Sequence, residues 1–150
     1  MTALPRLLVL TDRSQLPLGR SLVATMAACA EAGLTHVVLR ELDEPLEHRA
    51  KLAELLAGLG LNVIAAHTRL PAAVGLHLPA SASCNTSFVG PPRGRSCHSP
   101  TDVATAAEEG FDYAMLSPYA LTESKPGYGP PLGPEVFAGL PLPTYALGGI

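Results

Sequence analysis

The stretch Val37-Val38-Leu39-Arg40-Glu41 is apolar over three residues and then breaks off into two opposite charges. A strand that is apolar on both faces belongs inside a parallel sheet covered on both sides. The same pattern recurs to either side. Leu7, Val9 and Thr11 run into Asp12-Arg13 upstream. Downstream come Val63-Ile64-Ala65-Ala66-His67, Leu76-His77-Leu78, Arg95-Ser96-Cys97-His98, Ala114-Met115-Leu116-Ser117 and Tyr145-Ala146-Leu147-Gly148-Gly149-Ile150. Helical stretches separate these strands, and β-α alternation of this kind defines the α/β class. Seven strands with polar or glycine residues at their carboxyl ends read as a (β/α)8 barrel, whose chemistry sits on the carboxyl face.

The intervening segments carry helix signals. The spacing predicts a helix over 18–33, with Leu22, Met26, Cys29 and Ala30 on one face and Gly33 as its stop. A second helix follows Pro45, with Leu52, Leu55, Leu56 and Leu59 as the buried stripe and Glu47 paired with Lys51 outside. Ser99 is an N-cap, Pro100 takes the first helical position, Asp102 completes the signal, Val103, Ala106 and Ala107 face inward, and Gly110 ends the helix. Residues 79–94 are dense in turn formers and leave room for only a rudimentary helix. Residues 117–134, rich in Pro and Gly, form a loop long enough to fold over a ligand.

Composition narrows the partners. A net charge of −3 gives no basic footprint for nucleic acid. No apolar run approaches the roughly 18–20 residues needed to span a bilayer. Residues 1–6 lack the layout of a signal peptide, so a cytoplasmic protein is expected. Three cysteines, Cys29, Cys84 and Cys97, fit reduced thiols better than a disulfide framework. Cys29 is expected in the core. Cys84, Cys97, His98 and His77 lack the close paired spacing of a zinc site, so no metal is expected there.

The chain has 150 residues, whereas a barrel of this class takes about 250, and about 200 at the low end. It stops at Gly149-Ile150, directly after the seventh strand. The expectation is therefore one domain, 1–150, forming a barrel truncated at its C-terminus. It is a partial chain, or one whose closure comes from another subunit, as in a homo-oligomer.

Five motifs carry a resemblance: Thr11-Asp12-Arg13, Leu39-Arg40-Glu41, Gly94-Arg95-Ser96-Cys97-His98-Ser99, the segment 117–125 from Ser117-Pro118-Tyr119 to Lys125, and Ala146-Leu147-Gly148-Gly149-Ile150. In order and spacing the chain resembles the thiamin phosphate synthase/TenI family. The resemblance implies a (β/α)8 barrel handling the thiazole phosphate half of thiamin, with the diglycine after strand seven helping to bind phosphate. A synthase of this family joins a pyrimidine diphosphate to the thiazole phosphate and uses Mg²⁺, which favours carboxylate oxygens. Here the family's two metal carboxylates fall in Ala65-Ala66-His67-Thr68-Arg69 and Pro79-Ala80-Ser81-Ala82, its lysine is Leu42 and its glutamine is Val38. What remains suits a monophosphate: Gly148 and Gly149 can approach closely with their N–H groups, while Thr122 and Lys125 supply a hydroxyl and a charge.

The set resembles the TenI branch, which includes thiazole tautomerases that shift a proton with an acid/base group and no metal. The tautomerase histidine after strand six is Pro118 here, so His67, His77 or His98 would have to substitute. His67 is the expected base and Arg40 the expected clamp on an anion. Arg40 could instead pair with Glu41 or Asp12, His67 and Lys125 could be solvated loop residues, and His77 and His98 could be structural. Asp12 and Arg13 are read as capping residues. The expectation is a TenI-like thiazole phosphate-binding protein, with tautomerase activity and no cofactor. The alternatives are a divergent Mg²⁺-dependent synthase and a non-catalytic binding or regulatory module.

Overall fold

The structure is a computed structural model that describes residues 3–82, 90–121, 127 and 129–150. It divides into two compact units, one of Met1–His77 with Val89–Pro91 and one of Leu78–Phe88 with Pro92–Ile150.

The first unit runs β1 (Val9–Leu10), a 3-10 turn (Arg13–Gln15), α1 (Leu22–Glu31), β2 (His36–Leu39), α2 (Leu46–Gly58), β3 (Asn62–Ala66) and β4 (Gly75–Leu78). Its strands are parallel neighbours in sequence order, with Val9 opposite Val37, Val38 opposite Ile64, and Ala66 opposite His77. Every residue of β2 is buried, and Val37, Val38, Val63 and Ile64 are completely enclosed. Each such aliphatic side chain contributes about 1.5–3 kcal/mol on leaving water. The uninterrupted apolar run is thus explained by cover on both faces of the sheet.

The second unit runs β5 (Arg93–Cys97), α3 (Pro100–Glu108), β6 (Tyr113–Leu116), a 3-10 turn (Pro134–Phe137) and β7 (Thr144–Ala146). Its strands are also parallel, with Gly94 opposite Tyr113 and Met115 opposite Tyr145. Ser99 caps α3, its hydroxyl accepting from the Asp102 amide at 3.1 Å, while Asp102 accepts from the His98 amide at 2.9 Å. Val103 and Ala106 are fully buried, as the periodicity predicts. Tyr113 lies flat over Gly94: a Cβ there would stand 1.9 Å from its ring. Tyr145 meets the same ring edge-on at 5.5 Å.

Several expectations shift at this level. The first helix starts at Leu22, not residue 18, because Ser21 caps it by accepting from the Ala24 amide, and Pro17 is spent in a preceding turn. In α2 the buried positions are Ala53 and Leu56, whereas Leu55 is exposed. Lys51 pairs with Glu54 rather than Glu47, since the i,i+3 carboxylate is equally reachable. Cys29 is half-buried, not core. It lines a cavity of about 540 Å³ with Leu7, Val9 and Leu34. The seventh strand ends at Ala146, and Gly148 and Gly149 follow it in left-handed conformations with φ of 101° and 71°. No helix among the described residues is long and apolar enough to cross a membrane.

Candidate functional site

The residues after the strands belong to the two units separately. In the first unit, Asp12 caps the turn after β1, accepting from the Ser14 amide at 3.0 Å and from Gln15 Nε2 at 2.7 Å. Hydrogen bonds from Ser14 and then Gln15 hold its carboxyl below the usual range. Arg13 donates through its backbone to Glu41 Oε1 at 3.1 Å and through its guanidinium to Glu41 at 3.0 Å and Asp43 at 2.9 Å. The Glu41 side chain is 2% exposed. Its second oxygen is buried with no hydrogen-bond partner among the described residues.

The Arg13 pairing changes the account of Arg40. The pairing with Glu41 or Asp12 considered from the sequence does not form, because Arg13 takes Glu41 and local donors take Asp12. Arg40 is exposed; it makes no direct ion pair among the described residues, but its charge acts on Asp12 and helps to hold that carboxyl low. Its backbone amide donates to Thr11 Oγ1 at 2.9 Å, tying the ends of β1 and β2 together. Thr11, Asp12, Arg40, Glu41, Leu42 and Asp43 line a cavity of about 190 Å³.

His67 follows β3 in a left-handed conformation, φ 65°, with its amide donating to the His77 carbonyl at 2.8 Å. Partial burial, then the charges of Arg40 and Arg49, lower the pKa of its ring, so the imidazole is neutral at pH 7. His77 is 4% exposed and packed inward. Burial, reinforced by His67 and Arg40, pushes it down to about 4.

In the second unit, Gly148 and Gly149 pack on the segment after β6. Tyr119 donates to the Leu147 carbonyl at 2.8 Å and Ala120 to the Gly148 carbonyl at 2.9 Å. A Cβ on Gly148 would stand 3.1 Å from Pro118 Cα, and one on Gly149 would stand 2.3 Å from the Leu121 carbonyl oxygen. Both positions therefore require glycine. Their own N–H groups have no acceptor among the described residues. Thr122 and Lys125, expected to complete a phosphate site, lie outside the described residues.

His98, at the end of β5, places Nδ1 3.2 Å from the Ser117 carbonyl oxygen and 3.4 Å from the Ser117 hydroxyl. Sequence reasoning named His98 but missed Ser117 as its partner. The only signal was that both stand directly after apolar strands. It also missed Glu41 as a buried anchor, because a charge following a strand reads as exposed.

Parallel strands in α/β alternation, with polar and charged residues gathered at the carboxyl ends of β1 and β2, define an α/β protein of the barrel-like class. The sequence profile of the thiamine monophosphate synthase family matches residues 7–150, and the chain belongs to that family. A relative in Geobacter sulfurreducens, provisionally named thiamine-phosphate synthase, is 32% identical over 96% of this chain and 75% of its own length. The thiamine-phosphate synthase of Pelotomaculum thermopropionicum is 30% identical over 89% of this chain and 69% of its own. The solved thiamine phosphate pyrophosphorylase of Pyrococcus furiosus superposes with a TM-score of 0.76 at 20% identity, covering 95% of this chain and 74% of that one. That likeness shows the fold, an α/β, TIM-barrel-like architecture.

A synthase of this family would hold Mg²⁺, which calls for several hard oxygen ligands. Asp12, Glu41 and Asp43 already accept from neighbouring donors. Among the described residues, no three His, Cys, Asp or Glu side chains gather as a metal site. The described donor set does not fit the ion.

Proposed function

We propose that this chain binds a thiazole phosphate and shifts a proton on it without a metal, in the manner of the TenI branch of its family. The observation that carries the reading is the arrangement of the first unit's strand ends: Arg13 engages Glu41 and Asp43, local donors engage Asp12, and Arg40 stands exposed on the same cavity. Such a surface receives an anion. In the second unit, the N–H groups of Gly148 and Gly149 would donate to phosphate oxygens, joined by Thr122 and Lys125. His67 would serve as the base, since a neutral imidazole can accept a proton at pH 7.

The reading is tested by calorimetry with a thiazole phosphate, with and without magnesium. Metal-independent binding is expected, and Arg40→Ala should weaken it about 10- to 100-fold, the loss of one charge-assisted hydrogen bond. No binding, or equal affinity in the variant, refutes it. A second reading, the synthase, is favoured by the names of the curated relatives. Magnesium-dependent formation of thiamin phosphate from the two precursors would establish it. A protein that binds the thiazole phosphate and exchanges no proton would instead be a binding or regulatory module.

A further inference from the structure

We propose that Arg13 is a positioning residue for the anion site at Arg40: by holding the Glu41 and Asp43 carboxylates it keeps Arg40 available to a phosphate. The assignment rests on the reading that Arg40 receives the anion. It adds a second cation, from a different strand end, that the site needs although it does not grip the ligand.

The charge balance of the cavity sets the problem. Among the described residues, three carboxylates, those of Asp12, Glu41 and Asp43, line it together with one guanidinium, that of Arg40. An anion entering such a space is repelled by each acid, and a guanidinium in it is drawn to any carboxylate left free. Asp12 is occupied by neutral donors, the amide and hydroxyl of Ser14 and the amide group of Gln15. Glu41 and Asp43 are the acids that remain to be answered.

Arg13 answers both from outside the lining of the cavity. Its Nη1 donates to Glu41 Oε1 at 3.0 Å and to Asp43 Oδ1 at 2.9 Å, and its Nη2 donates to Asp43 Oδ2 at 2.6 Å. Nη2 also lies 3.4 Å from Glu44. One planar fork therefore spans carboxylates at two positions after β2, a geometry that a point-charge ammonium cannot reproduce. Glu41 is the partner that makes the grip consequential. Its backbone is left-handed, with φ 29°, and its side chain is 2% exposed, so water cannot screen the charge. It is also the immediate neighbour of Arg40, whose own backbone is pinned by donation to Thr11 Oγ1 at 2.9 Å. Without the Arg13 guanidinium, an unscreened carboxylate would stand beside the cation that must meet the phosphate. The backbone amide of Arg13, on Glu41 Oε1 at 3.1 Å, survives any substitution of its side chain, so the loss is one of charge.

The test is calorimetry with a thiazole phosphate on the unaltered protein, Arg40→Ala, Arg13→Gln and the double variant Arg13→Gln/Glu41→Gln. Arg13→Gln should weaken binding about 5- to 10-fold, the effect of one uncompensated charge a few ångströms away. The double variant should recover to within about threefold of the unaltered protein, because removing the acid removes the need for its partner. A purely structural loss would not be rescued by a second substitution. Raising the salt to about 1 M, where charges are screened within about 3 Å, should shrink the difference between Arg13→Gln and the unaltered protein. Where Arg13→Gln does not fold, Arg13→Lys takes its place: its ammonium should hold only one carboxylate, giving about a threefold loss that Glu41→Gln restores. Unchanged affinity in the Arg13 variants, or a double variant as weak as the single, overturns the assignment and leaves the anion site standing. No binding by the unaltered protein, or equal binding by Arg40→Ala, removes the site itself and the role of Arg13 with it.

Discussion

His77 is buried at the second-to-last position of β4, where burial disfavours an imidazolium. Its folded pKa of about 4 lies below the ordinary histidine value of 6.5. The unfolded chain therefore binds the proton more readily. The stability His77 contributes is complete above about pH 6.5 and falls away as the pH drops towards 4. The two values set the scale at about 3 kcal/mol, an upper bound since relaxation lowers it. Urea unfolding between pH 7 and 4 should show a steep loss of stability, and His77→Asn should flatten that slope. An unchanged slope in the variant would sink the prediction. His36, buried beside Thr35, has its pKa lowered in the same direction and supplies a residual slope. At this scale the sequence showed that Arg40 and His98 directly follow apolar strands, and no more than that. Which carboxylate Arg13 would capture depended on side-chain reach across |i−j| of 28 to 30, which no local pattern encodes.

The elements were the most legible level. The apolar runs at 37–39 and 63–66 became buried strands because cover on both faces removes any need for alternation. Ser99-Pro100 set the start of α3, since cap chemistry is a local property. Ser99→Ala should cost about 1 kcal/mol, read as a lower unfolding midpoint. The α2 stripe was misread at Leu55 because a leucine-rich helix offers more than one apolar face, and only the sheet beneath it selects Ala53 and Leu56. Gly94 shows a constraint no periodicity reveals, for the Tyr113 ring occupies the space a side chain would need. Gly94→Ala should destabilise by about 1–3 kcal/mol through overpacking. Gly94→Ala combined with Tyr113→Leu should recover part of that loss, whereas equal losses in both would show that the ring is not the obstacle.

For the whole molecule, family membership followed from motifs spread along the chain, and the profile match over residues 7–150 bears it out. The α/β class was equally clear, because strand-helix alternation survives errors of a few residues at each boundary. Gly148 and Gly149 follow β7 in close approaches to residues 118–121 that demand glycine. Their chemistry depends on backbone orientation after β7, and the sequence showed only that two glycines were there.

Cys97 is fully enclosed at the end of β5, and burial raises its thiol to about 11. Cys29 is only half-buried and lines a cavity that reagents can enter. Alkylation of the native protein by iodoacetamide should thus modify Cys29 early and Cys97 only when the second unit opens. The modification rate at Cys97 is then a clock for local unfolding, readable by mass spectrometry without any introduced label.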